Sequence, residues 1–417
     1  MLKTFKMINK QDIQPFNDLN AGLTNSSAVL PANIMCFSHL RWKFVYQRPQ
    51  HLLSRFSTRF NVFYFEEPIF DSEGSNGYLA FINASPTLHI LVPHLPSGIT
   101  GEETDTLQRK LIDGFLAGRA LKDFIFWYYT PMALSFTDHL TPACTIYDCM
   151  DQLSAFKDAP VQLLQREQAL FKLASIVFTG GYSLFQAKRS KHPFVYLFPS
   201  SIEKDHFALA RVRGSRQPDQ ALIGKPIIGY FGVIDERFDV ELIKNIALAR
   251  PDWNIVLIGP VVKISEDSIP TLPNIHMLGQ RSYKQLPSYL RDWDVAVIPF
   301  LLNESTRYIS PTKTPEYLAA GIPVVSTPIH DVSYEYGANN CVKIEKDANG
   351  FLKAVQEILD WSPKAHSTWL KSVDAILELQ SWDKTYSEML TQLKLVFVRN
   401  AAASKPAKET NIKSMYK

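Results

Sequence analysis

The chain has 417 residues, 46% hydrophobic and 20% charged, a composition that excludes a disordered chain and leaves room for two globular domains. Its 44 Lys+Arg against 41 Asp+Glu give a net charge of +3, too small a surplus for a nucleic-acid-binding surface. No apolar run reaches bilayer length and the N-terminus lacks a signal-peptide core.

Residues 1–30 are polar and mixed and read as a flexible lead-in. Apolar runs then follow at Asn33–Ser38, Val62–Phe65, His89–Val92, Phe124–Tyr129, Cys144–Tyr147, Ile176–Thr179 and Phe194–Phe198. Helical patterns lie among them: one carries Leu52, Leu53 and Phe56 on a single face, and others run Asp105–Leu121 and Pro160–Leu173. Buried strands alternating with helices predict a parallel sheet with covering helices, here a first domain over 31–209. Residues 210–225 lack periodicity and read as a linker. A second alternation over 226–380 predicts strands at Ile227–Phe231, Asn254–Ile258, Ile275–Leu278, Val295–Pro299 and Val324–Thr327. Its helices are expected at Val240–Ala249, Tyr283–Trp293 and Phe351–Leu359. A last helix, about 382–398, precedes a lysine-bearing tail, 399–417, read as flexible and solvated; near an anionic membrane it would gain about 1 kcal/mol per basic residue. The fold class is α/β, with two Rossmann-like domains and ligands at the carboxyl ends of the strands. Neither first strand is followed by Gly-x-Gly-x-x-Gly, which disfavours a nicotinamide dehydrogenase. Cys36, Cys144, Cys149 and Cys341 lack Cys-x-x-Cys spacing and read as buried reduced thiols.

The most informative stretch is Ser310-Pro-Thr-Lys-Thr-Pro-Glu-Tyr-Leu-Ala-Ala-Gly-Ile-Pro-Val-Val-Ser326. Thr314 reads as an N-cap, Pro315 as the first helical residue and Gly321 as the helix end. Pro311, Thr312, Lys313 and Thr314 then surround a helix N-terminus suited to a diphosphate, with Glu316 placed to accept from sugar hydroxyls. A second cation comes from Gly232 to Arg237, where the glycine allows close approach and the arginine offers a planar fork of donors. Arg237 as an ordinary ion pair with Glu236 or Asp239 is the alternative. Gln280 sits in a strand-to-helix turn. In the first half, His39, Arg41, Trp42, Gln47 and Arg48 crowd one loop, and Asp148 and Asp151 follow another strand. A carboxylate there could take an acceptor's proton, or simply cap a helix. Asp292-Trp-Asp294 fits a metal-binding Asp-x-Asp pattern but is read as capping between a helix and a strand, and no other metal-ligand spacing is present.

The 310–326 run resembles the donor site of the retaining GT-B glycosyltransferases, and Phe37–Leu52 resembles a bacterial subgroup acting in cell-wall and exopolysaccharide synthesis. That subgroup includes teichuronic-acid glycosyltransferases and domains joined to UDP-galactopyranose mutase. The resemblance implies a retaining, metal-independent transfer with no cofactor, from a nucleotide-diphosphate sugar to a saccharide or lipid-linked acceptor. It also implies a cytoplasmic location with peripheral membrane contact, and association with other polysaccharide-synthesis enzymes. Glu316 matches the family's ribose-binding second Glu, while the first is replaced by Tyr308. Arg237 matches the basic residue holding the donor's phosphates, and the turn at Gln280 the one that contacts the base. The final helix, starting Ser381-Trp382-Asp383, matches the element that crosses back to the first domain. Two rivals stand beside this reading: a GT-B-like isomerase or epimerase of the nucleotide-sugar, and a non-catalytic subunit of a polysaccharide assembly complex.

Overall fold

The structure, a computed structural model, describes residues 29–403, so most of the lead-in and of the tail lies outside the described residues. The first domain holds nine strands: β1 Asn33–Phe37, β2 Asn61–Phe65, β3 Ile69–Ser72, β4 Tyr78–Ser85, β5 Leu88–Pro96, β6 Phe124–Tyr128, β7 Cys144–Cys149, β8 Ile176–Thr179 and β9 Val195–Leu197. They form one sheet in the order β3-β5-β2-β1-β6-β7-β8-β9, parallel throughout except that β4 pairs antiparallel with β5. The order reverses at β1/β6, which places a switch point at the carboxyl end of the sheet. The second domain holds β10 Ile227–Phe231, β11 Asn254–Ile258, β12 Ile275–Gly279, β13 Val295–Ile298, β14 Val324–Ser326 and β15 Val342–Ile344, all parallel, in the order β12-β11-β10-β13-β14-β15. Its central strands are continuous apolar runs because helices bury both faces of the sheet.

Helix Trp382–Ala403 leaves the second domain and packs Trp382, Met389, Leu393 and Val396 into the core of the first. It runs five residues past the expected Val398, so 399–403 are helical. No helix among the described residues is long and apolar enough to cross a membrane.

Several elements depart from expectation. The strands β3, β4 and β15 and the helix Pro363–Leu377 lie where no element was expected. The stretch 210–225 is packed rather than loose: Gln220 is fully buried, donating to the Tyr289 carbonyl at 2.9 Å and accepting from the Trp293 indole at 3.1 Å. The donor-motif helix spans Lys313–Ala319 with Thr312 at its N-cap, two residues earlier than expected. Pro315 is tolerated there because the first turn's N–H groups have no intrahelical partner. Gly321, at φ +79°, ends the helix as expected. Asp292 and Asp294 serve structure: Asp292 pairs with Arg216 at 3.0 Å, and Asp294 accepts from the Ile227 N–H at 2.7 Å. All four cysteines are buried and free.

Candidate active site

A cavity of about 990 Å³ lies between the carboxyl ends of the two sheets. Trp42, Gln47, Arg48, Asp151, Gly232, Arg237, Gln280, Pro311, Thr312, Lys313 and Glu316 line it, joined by Glu203, His206, Tyr283 and Phe300.

The second-domain wall is built around the turn after β10 and the first turn of the Lys313–Ala319 helix. Gly232 follows β10 at φ +137°, and a Cβ there would lie 1.8 Å from Lys313 Cε. That absence lets the lysine stem lie across the turn, with Nζ 5.8 Å from the Tyr230 ring and 5.9 Å from that of Phe300. Glu316, on the first turn of its helix, is 5% exposed, and its carboxylate has no hydrogen-bond partner among the described residues. Burial pushes the Glu316 carboxyl up; burial, then the neighbouring Arg237, pushes the Lys313 ammonium down. Two buried, unpaired ionisable groups facing one cavity are costly unless a ligand completes them. The backbone N–H groups of Thr312 and Lys313 also have no protein partner among the described residues. Arg237 forks onto Asp235, with Nη2 at 2.6 Å and Nε at 2.9 Å, so the fork expected to meet a diphosphate is taken by a carboxylate, and by neither Glu236 nor Asp239. Its Nη1 alone is left for the cavity.

The first-domain wall corrects several expectations. Arg48 does not present its guanidinium to a ligand: it is 2% exposed, binds Asp148 through Nε and Nη2 (2.8 Å at the shortest), and donates Nη1 to the Phe198 carbonyl at 2.7 Å. Asp148, at 0% exposure and enclosed by that fork, lies inside β7 and cannot reach an acceptor. Arg41 is held by Glu66 and the Pro68 carbonyl, away from the cavity. His39 does not line the cavity either; burial lowers it to about 4. Thr314 is fully buried, its hydroxyl without a partner among the described residues, because the helix starts at Lys313 rather than after it. Gln280 lines the cavity and donates across the cleft to the Phe44 carbonyl at 2.6 Å. Gly181 leaves no open space for a ligand: a Cβ there would lie 2.4 Å from Asp331 Oδ2. Tyr308, where the resemblance would have its first Glu, packs against the first-domain core.

Asp151 does line the cavity and makes no side-chain hydrogen bond among the described residues. Burial pushes its carboxyl up to about 6, against the opposing pull of Arg237 and Arg48. The hinge region supplies residues that sequence reasoning did not place in the site. Tyr283 inserts between Tyr46 (4.7 Å) and His206 (4.4 Å), and its hydroxyl donates to Glu203 at 3.1 Å. The neighbouring His51, 3.6 Å away, then hydrogen bonds from Arg55 and Tyr283, hold Glu203 down at about 2. The signal for these was the aromatic density around Tyr46 and Tyr283, visible only once the two domains face each other.

Two parallel-sheet domains enclosing a cleft and joined by a returning helix define a GT-B fold. Residues 225–360 match the family model described as Glycosyl transferases group 1, so the second domain is of that type. A putative teichuronic acid biosynthesis glycosyltransferase, TuaH of Bacillus subtilis (strain 168), is 24% identical over 275 residues, 59% of this chain. The chain spans 65% of that relative's length. Sucrose-phosphate synthase from Thermosynechococcus elongatus superposes with a TM-score of 0.67 at 14% identity, covering 88% of this chain and 100% of that one. The Escherichia coli trehalose-6-phosphate protein bound with UDP-2-fluoro glucose gives 0.65 at 12% identity, covering 87% and 99%.

Proposed function

We propose that the protein transfers a sugar from a nucleotide-diphosphate donor to a saccharide or lipid-linked acceptor in bacterial cell-surface polysaccharide synthesis. The observation that carries this reading is the unpaired Glu316 carboxylate beside the unpaired Lys313 ammonium on one cavity wall. In this proposal Glu316 accepts from ribose hydroxyls. Lys313, the free Thr312 and Lys313 amides and the Nη1 of Arg237 meet the diphosphate, whose negative charge grows as the sugar leaves. We assign that stabilisation to these side chains and amides, with no cofactor and no metal ion. Asp151, on the facing wall, is the group placed to orient an acceptor hydroxyl or take its proton; Asp148 has no part. Trp42 and Gln47 line the acceptor side. The similarity to glycosyltransferases supports the reaction class, and the resemblance implies retention of configuration.

Calorimetric titration with UDP and GDP tests the donor site. One of them is expected to bind, and Glu316→Gln is expected to weaken it by about tenfold or more, the loss of a charge-assisted contact. Silence toward both nucleotides, or unchanged affinity in the variant, would overturn the assignment.

A further inference from the structure

A second cavity, of about 290 Å³, opens at the carboxyl edge of the first sheet. The ends of β1, β2 and β6 deliver Ser38, Glu66 and Thr130 to it, at the point where strand order reverses. Only a thin wall divides it from the main cavity. The Trp42 N–H donates to Glu66 Oε1 at 2.7 Å, with Trp42 facing the main cavity and Glu66 the second.

Gln108 is the decisive side chain. It lies on the helix Gly101–Leu116, is 6% exposed, and lines this cavity, yet its amide makes no hydrogen bond among the described residues. Its two N–H donors and one acceptor oxygen have no protein partner among the described residues and open onto the cavity, so the position suits a polar ligand. Around it stand Asp105, which accepts from Ser135 Oγ at 2.6 Å and from Arg166 at 3.4 Å, and the carboxylates Glu66 and Glu67. Three carboxylates meet two guanidiniums, Arg41 on Glu66 at 3.2 Å and Arg166 on Asp105 at 3.4 Å, which leaves Glu67 without an ion-pair partner among the described residues. That balance repels phosphates and uronates. Phe136 and the half-exposed Phe70 add apolar ring faces. Amide and carboxylate groups together with ring faces suit the alternating hydroxyl and C–H surfaces of a pyranose.

We propose that this second cavity binds a neutral, hydroxyl-rich saccharide unit: a sugar of the acceptor chain removed from the one that reacts. The assignment to the acceptor rests on the glycosyl-transfer reading; the binding itself does not.

The test is calorimetric titration of the full chain with maltose, cellobiose and lactose in the absence of nucleotide, with glucose 6-phosphate as the anionic control. At least one neutral disaccharide is expected to bind, and both Gln108→Leu and Phe70→Ala are expected to weaken it by about tenfold. Phe70 is 47% exposed, so its loss leaves the core intact. UDP and GDP titrations are expected to be the same in both variants as in the native chain. Saccharide binding by a chain that ignores both nucleotides would support this cavity while sinking the donor assignment. No heat from any disaccharide, tighter binding of glucose 6-phosphate, or variants indistinguishable from the native chain would overturn the proposal.

Discussion

Asp148 and Asp151 are three residues apart and have opposite fates. Asp148 points into the sheet and is consumed by Arg48; Asp151 lies past the end of β7 and lines the main cavity. Only the second is in a position to exchange a proton with a substrate. Burial raises it to about 6, while Arg237, Arg48 and Lys313 oppose that shift and Asp235 adds to it. A base must be deprotonated, so transfer is expected to fall as pH drops through about 6, and Asp151→Asn is expected to be slow and to lose that acid limb. A pH–rate profile of both proteins checks this; an unchanged limb in the variant would assign it elsewhere. For stability the sign follows from a folded value above the unfolded one: keeping Asp151 charged is a burden above about pH 6 that fades as pH falls toward about 4. The variant's advantage in melting temperature is therefore expected at neutral pH and not in acid.

At the scale of elements, the turns after β10 and β11 are the fixed points of the donor wall. A Cβ on Gly232 would lie 1.8 Å from Lys313 Cε, and one on Gly259 would lie 1.9 Å from the Gly232 carbonyl oxygen. Both glycines have positive φ, so neither position accepts a side chain without moving its neighbour. Gly232→Ala is expected to displace Lys313, weaken nucleotide binding in calorimetry, and cost roughly 1–3 kcal/mol of stability through backbone strain. Normal nucleotide affinity in that variant would show that Lys313 is not held by this turn. Much of this was legible in the chain: apolar runs bounded by helical patterns locate β1, β2 and β5 to β14, and Gly321 marks its helix end. The rest was hidden for physical reasons. β4 is an edge strand whose Tyr78, Phe81 and Ile82 stay exposed, so it shows neither a buried run nor a clean alternation. The helix Pro363–Leu377 does carry signals, Ser362 capping the Ala365 N–H and Trp369, Val373 and Leu377 four apart, which a reading led by strand–helix alternation passes over. The fate of Arg48 was unreadable because its partners, Asp148 and Phe198, are 100 and 150 residues away.

At the scale of the whole molecule, the two domains are tied on both sides of the cavity. One tie is the Tyr46–Tyr283–His206 stack with Glu203 at the hinge. The other is Asp331, which follows β14, is 3% exposed, and accepts from the Ser183 N–H of the first domain at 3.0 Å. Beside it Tyr182 stacks on Tyr334, centroids 4.4 Å apart and 9° from parallel. Gly181 is wedged between Asp331 and Ser310, 2.9 Å separating its would-be Cβ from Ser310 Cβ, and Ser310 begins the loop that carries Lys313. Closure at this point therefore bears directly on the donor loop. A carboxylate buried against a backbone N–H is favourable only while the domains meet, so removing it shifts the balance toward an open cleft. Asp331→Ala is expected to increase the radius of gyration in small-angle X-ray scattering. It is also expected to raise donor hydrolysis relative to transfer, because an open cleft admits water. Gly181→Ala, which forces the same contact apart by adding a methyl group, is expected to do both without touching any group that meets the donor. Scattering curves and product ratios identical to the native chain in both variants would mean that the hinge stack and the Gln280–Phe44 hydrogen bond hold the cleft closed without Asp331.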